Sequence, residues 1–136
     1  YPGKWVIVLA LTSNKGSADF QHHTDDSGEK LYQKVIRISQ DWSGPDRMMY
    51  VVGATHPTQL AEIRRTIPRH FLLIPGVGAQ GGKVSDVMEA AYVPGECNLL
   101  INSSRGIIYA GNGVDFASDA REAALDLQLQ MVPYLR

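Results

Sequence analysis

Four short apolar runs, Trp5–Leu11, Met48–Ala54, Phe71–Pro75 and Asn98–Asn102, punctuate a chain of 136 residues, and a stretch of helical spacing follows each one. The runs are nearly continuous in apolar residues rather than alternating, the pattern of strands with both faces covered by helices. After the first, Leu31, Val35, Ile38 and Trp42 fall at helical spacing and are expected to line one face. After the second come Leu60, Ile63 and Ile67, with Pro57 suited to the first turn. Val84, Val87, Met88 and Ala91 form the third stripe. The last helix has Ser118 as the expected N-cap and Asp119 and Glu122 in its first turn, where carboxylates favour the dipole. Its inward stripe is Ala120, Ala124, Leu127 and Met131. Strand then helix, four times over, predicts βαβ units and a parallel sheet.

Two α/β architectures fit that order: a small doubly wound sheet, or half of an eight-stranded barrel. A complete barrel needs about 250 residues, and this chain has 136. Four strands alone leave two open edges, an aggregation hazard unless something pairs with them. The opening Tyr1-Pro2-Gly3 reads as the middle of a longer chain. Thirteen basic and fourteen acidic side chains nearly cancel, so there is no basic field to recommend nucleic acid or an anionic membrane. No apolar run approaches the roughly 20 residues that span a bilayer. The single cysteine, Cys97, has no internal partner, which suits a reducing cytoplasm.

The third run passes into Pro75-Gly76-Val77-Gly78-Ala79-Gln80-Gly81-Gly82. Four glycines in seven residues let the backbone approach a ligand closely and use positive φ, and the amides of the following helix suit an anion. The fourth run ends in Asn102-Ser103-Ser104-Arg105-Gly106, read as a second tight turn carrying a cation. There Arg105 can clamp a phosphate in bidentate fashion beside neighbouring amides. Barrels commonly hold phosphate in the loops after their seventh and eighth strands. The two phosphate-like loops here follow the last two strands, which favours the C-terminal half of a (β/α)8 TIM barrel, residues 1–136 forming strands five to eight. At the end of the first run, Ser13 offers one hydroxyl to a ligand heterocycle, or to its own turn.

Other motifs fail on inspection. Gly76-x-Gly78-x-x-Gly81 matches a dinucleotide fingerprint, but the next strand ends in Asn102 rather than an acid. Lys83 has Val77 and Val84 where a Walker A loop needs glycine and a hydroxyl. His22, His23, Asp25 and Asp26 lack metal-ligand spacing and read as solvated surface. His56 reads as a helix-entry residue, His70 as an unremarkable loop residue, and Cys97 as a buried apolar thiol. The acidic residues form no obvious acid–base pair, and nothing recommends a metal or organic cofactor.

Four blocks resemble the orotidine 5′-phosphate decarboxylase family, in its longer bacterial branch: Leu9–Phe20 (LALTSNKGSADF), Val51–Thr55 (VVGAT), Pro75–Gly82 (PGVGAQGG) and Ile101–Ile107 (INSSRGI). The resemblance implies conversion of orotidine 5′-monophosphate to uridine 5′-monophosphate without cofactor, in a homodimer. By it, Ser13 matches the serine bonded to the pyrimidine edge and Pro75 the proline beside the base. Gln80 matches the glutamine of a mobile lid loop (Gly76, Val77, Gly78, Ala79, Gly81, Gly82) that bridges base and phosphate. Arg105 matches the phosphate-binding arginine, with the Ser104 and Arg105 amides beside it. Lys15 stands where many relatives have proline. The family's chemistry also depends on a D-x-K-x-x-D array, and no lysine here qualifies. Two positions before Lys4, Lys15, Lys30, Lys34 and Lys83 stand Pro2, Ser13, Gly28, Tyr32 and Gly81. No catalytic residue is therefore expected in this chain, and its partner would be an N-terminal half-barrel. A sugar-phosphate decarboxylase or isomerase of related architecture, or a non-catalytic nucleotide-binding domain, would share the glycine-rich turns.

Overall fold

The computed structural model describes residues 2–78 and 80–135. Strands β1 (Val6–Leu11), β2 (Met48–Val52), β3 (Phe71–Pro75) and β4 (Leu99–Asn102) form one sheet in sequence order, and every pairing is parallel. Helices α2 (Leu31–Ser39), α3 (Pro57–Thr66), α4 (Val84–Ala91) and α6 (Phe116–Met131) follow the four strands in turn. Two short helices absent from the expected pattern, α1 (Ser17–Phe20) and α5 (Ser104–Ile108), open the loops after β1 and β4. A 3₁₀ turn, Val132–Tyr134, closes the described chain.

Parallel register puts Val8, Tyr50, Leu72 and Leu99 in one row and Leu9, Val51, Leu73 and Leu100 in the next, facing the other way. The first kind of row meets the helices. Tyr50, Val52, Leu72 and Ile74 are completely buried there, with Ile36, Leu60, Ile67 and Val87 against them. At about 1.5–3 kcal/mol per buried large side chain, this one-sided core supplies most of the stabilisation. The second kind of row is left open: Ile7 and Leu9 keep 53% and 58% of their surface. The expectation that helices cover both faces is therefore corrected. Burial alternates along β2 and β3 although apolarity does not, so the sheet retains an uncovered apolar face.

Helices α3 and α4 bury the expected stripes, with Pro57 in the first turn of α3 and Ile67 just past its end. Helix α2 does not. It buries Tyr32, Ile36 and Ser39, because the Ser39 hydroxyl pairs with Tyr50 Oη at 2.8 Å across the helix–sheet contact. Leu31, Ile38 and Trp42 stay exposed on the flank turned away from α3, and Trp42 lies beyond the helix end. Helix α6 starts two residues before Ser118, with Asp115 at its N-cap. Ala123 rather than Ala124 is half-buried, alongside Ala120, Leu127 and Met131. Leu125, Leu129 and Val132 are exposed on the opposite side. Cys97 is exposed, not buried, since it sits in the loop just before β4.

At the amino ends of the strands, Arg64 is buried and donates to the carbonyls of Ile67, Pro68, His70, Ala91 and Asn98 at 2.8–3.2 Å. Burial pushes its pKa down to about 10. His70, expected to be an unremarkable loop residue, is also buried, edge-on to the Tyr50 ring, and neither ring nitrogen has a hydrogen-bond partner among the described residues. Burial, reinforced by the charges of Arg64 and Arg69, lowers its pKa. The folded state thus holds His70 neutral, and the unfolded chain takes up a proton first as pH falls. Stability should be full above about pH 6.5 and decline as pH drops through that value towards the lower folded pKa. Urea midpoints measured from pH 8 to 5 should show this slope, and His70→Phe should flatten it. An unchanged slope in His70→Phe would assign the pH dependence elsewhere.

Candidate functional site

The carboxyl ends of β1 to β4 gather the glycine-rich and hydroxyl-bearing turns. Beyond Pro75 the chain enters positive φ at Gly76, Gly78 and Gly81, a region where a Cβ costs roughly 1–2 kcal/mol per residue. The turn then closes on itself. The Gly78 amide donates to Gly82 O at 2.9 Å, the Gly81 amide to Gly78 O at 2.8 Å, and the Gly82 amide to Gly76 O at 3.2 Å. Ser103 Oγ donates to Val77 O at 3.0 Å, which ties the β3 loop to the β4 loop. Of the expected loop residues, Ala79 lies outside the described ones.

Gly82 has a second constraint. A Cβ there would overlap the Ala54 methyl at the end of β2 and come within 2.9 Å of Gly76 O. Gly82→Ala should therefore push the loop off the strand ends. The expected outcome is a destabilisation of about 1–3 kcal/mol with weaker binding of phosphate compounds, read by thermal unfolding and titration of inorganic phosphate. Wild-type values in both would contradict the packing described.

Between the two loops is a cup of about 150 Å³ lined by Pro75, Gly76, Val77, Gln80, Asn102, Ser103, Ser104 and Arg105. Arg105 is the one charged residue in that lining. The segment read as a tight turn is in fact the start of α5, with Ser103 at its N-cap. The first amides of any helix lack partners within it, so those of Ser104 and Arg105 stand at the cup's edge. A short extra helix after the last strand is a common partner of the phosphate loops in βα barrels.

Ser13 approaches the same cup from β1. Its Oγ is buried with no hydrogen-bond partner among the described residues, and it fits because Gly53 has no Cβ, which would overlap that oxygen. The position a Cβ would take on Gly76 is 3.1 Å from Ser13 Oγ and 3.0 Å from Gln80 Oε1. Two polar side chains therefore converge where Gly76 leaves room. Pro75, Gln80, Ser104 and Arg105 are thus brought together in the cup's lining, with Gly76 between them and Ser13. Asn102 and Ser103 join the cup without having been singled out. Their signal was the polar run Asn102-Ser103-Ser104 ahead of Ile107-Ile108, a helix-start pattern.

Other candidates lie apart. His56 occupies the N-cap position of α3 but makes no side-chain cap bond, and its Nε2 is buried without a partner among the described residues. His22 is half-buried against the rings of Tyr32 and His56, so only His23 of that pair is surface. Among the described residues no group of three His, Cys, Asp or Glu is placed to hold a metal, and no helix is long and apolar enough to cross a membrane. A larger cavity, about 390 Å³ between α2 and α3, includes Glu29, Arg37, Tyr32 and Glu62. It is away from the strand ends, and its cation is taken: Arg37 makes two 2.8 Å bonds to Glu29. The small cup has the better anion chemistry.

Parallel strands in sequence order, with a cup at the carboxyl ends of the last two whose chemistry suits an anion, define a βα-barrel segment. The family model described as orotidine 5′-phosphate decarboxylase / HUMPS matches residues 2–120, and the chain belongs to that family. It is 52% identical over 136 residues to the orotidine 5′-phosphate decarboxylase of Bacteroides fragilis, covering 100% of this chain and 49% of that protein. To the Parabacteroides distasonis decarboxylase it is 53% identical over 135 residues, covering 99% of the chain and 48% of the relative. Among solved structures, Leishmania donovani OMP decarboxylase superposes with a TM-score of 0.75 at 32% identity, over 96% of this chain and 49% of that one. Leishmania donovani UMP synthase gives 0.76 at 37% identity, over 94% and 28%. The chain spans about half the length of the bacterial relatives it matches, and its four parallel strands with their helices are half of the TIM barrel.

Proposed function

We propose that this chain is the C-terminal half-barrel, strands five to eight, of an orotidine 5′-phosphate decarboxylase. It would grip substrate while an N-terminal half-barrel supplies the Asp–Lys array. The reaction is loss of carbon dioxide from orotidine 5′-monophosphate to leave uridine 5′-monophosphate, in de novo pyrimidine biosynthesis, in the cytoplasm, by a homodimer without cofactor. The observation that carries this reading is that Gln80 and Arg105 line one cup with Ser13 Oγ beside its Gly76 wall, on a chain 52% identical to named decarboxylases.

In this assignment Arg105 and the first amides of α5 hold the phosphate, Gln80 spans from phosphate to base, Ser13 meets the pyrimidine edge and Pro75 packs beside it. The lysine whose ammonium stabilises the carbanion and gives it a proton would come from the other half. Phosphate contacts remote from the breaking bond still lower the barrier, because their binding energy holds the closed, organised site. The test is an assay of decarboxylation by this chain alone and joined to the first half of a relative. Activity is expected only in the joined protein. Decarboxylation by the chain alone, or none by a folded joined protein, would overturn the assignment.

A further inference from the structure

Resting on the decarboxylase reading of the cup, we infer that Gln21 is a positioning residue: through Thr12 it aims the Ser13 hydroxyl at the base. Strand β1 ends at Leu11, whose carbonyl accepts from the Gly53 amide at 2.8 Å. One residue further on, the Thr12 amide has left the ladder and needs another acceptor. Gln21 Oε1 supplies it at 2.8 Å, and Gln21 Nε2 donates to Thr12 Oγ1 at 3.0 Å. One side-chain amide thus clasps Thr12 at two points. The Thr12 hydroxyl in turn donates to Asn14 Oδ1, so the residues on both sides of Ser13 belong to a single network.

Gln21 is itself anchored. Its amide donates to Ser17 O at 2.9 Å at the end of α1, and its carbonyl accepts from the Tyr32 amide at 3.1 Å in the first turn of α2. Tyr32 is buried in the core, so the clasp hangs from the helix framework and not from another loop. Ser13 makes no comparable side-chain bond. Its Oγ has no partner among the described residues, and it sits against Gly53 and beside Gly76. A buried hydroxyl in that state is unfavourable until a ligand group pairs with it. Its value therefore depends on standing where the ligand's edge arrives, and hydrogen bonds weaken steeply with angle. Gln21 does not line the cup, so it acts on the ligand through Ser13.

Binding of uridine 5′-monophosphate and of ribose 5-phosphate to the complete protein tests this, with Gln21→Met, Ser13→Ala and the double variant. Gln21→Met keeps the length of the side chain and loses both polar ends. Each single variant is expected to weaken uridine 5′-monophosphate about five- to tenfold, the scale of one neutral hydrogen bond. Ribose 5-phosphate, which has the phosphate and no base, should bind as it does to wild type. With Ser13→Ala already present, Gln21→Met should cost less than about twofold more, because the group it positions is gone. Thr12→Val keeps the backbone amide and removes the hydroxyl. It should give a smaller loss with the same dependence on Ser13, and it carries the test if Gln21→Met does not fold. Losses that multiply in the double variant, an equal loss for ribose 5-phosphate, or wild-type nucleotide binding by Gln21→Met would overturn the inference alone. Wild-type nucleotide binding by Ser13→Ala would instead overturn the assignment of Ser13 to the base, and the role of Gln21 with it.

Discussion

Replacing Arg105 with alanine in the complete protein should weaken uridine 5′-monophosphate binding, and lower kcat/KM for orotidine 5′-monophosphate, by roughly 30- to 1000-fold. The estimate takes a loss of about 2–4 kcal/mol, the middle of the range for one or two charge-assisted hydrogen bonds at about 1.5–3 kcal/mol each, with a factor of ten per 1.4 kcal/mol. Arg105 is the one charged residue lining the cup, so no neighbour in that lining replaces it. Its guanidinium is exposed at the cup's mouth, which places the effect on ligand binding rather than on folding. Arg105→Lys should recover only part of the loss, since an ammonium offers a point charge without the planar fork. Binding of the nucleoside uridine should change little in either variant. Equal losses for nucleotide and nucleoside would mean that Arg105 acts on the shape of the site and not on the phosphate.

The largest expected loss of stability comes from the other end of the sheet. Arg64→Met keeps much of the side-chain volume but leaves the carbonyls of Ile67, His70 and Ala91 without the guanidinium that now bonds them. An unsatisfied buried acceptor costs about 1–3 kcal/mol. Removing a buried charge gives some of that back, because no carboxylate among the described residues pairs with Arg64 and its lowered pKa reflects the desolvation. The balance should be a net loss of about 2–4 kcal/mol, comparable to breaking other buried polar networks. That is a large share of the 5–15 kcal/mol that holds an ordinary domain together. For a protein of this size it corresponds to a fall of roughly 10 °C in Tm. Nucleotide affinity of the folded fraction should stay near wild type, because Arg64 contacts the strand starts and the cup lies at the strand ends. A Tm within a degree or two of wild type would show that water satisfies those carbonyls.

The strands and helices α3 and α4 were legible because each presents a single apolar stripe. Helix α2 presents two, Tyr32–Ile36 and Leu31–Ile38, and periodicity cannot say which one the sheet takes. The sheet takes the stripe that satisfies Tyr50 through Ser39, a long-range pairing with no local signal. Continuous apolar strands reported a barrel's two-sided burial while these residues supply only one side of it. Arg64 was missed because a buried cation held by carbonyls has no counter-ion to betray it in sequence, and His70 because its burial against Tyr50 is a long-range contact. The cup was the most legible part. Glycines needed for positive φ and close approach, and an arginine after the last strand, are chemical requirements of the local backbone. The short helix α5 was hidden by its length.

The most direct test of the central claim is a crystal structure of the complete protein with uridine 5′-monophosphate bound. The account predicts the phosphate between the Arg105 guanidinium and the amides at the start of α5, with Gln80 over it and the uracil edge towards Ser13. A phosphate bound elsewhere, with Arg105 out of contact, would contradict it.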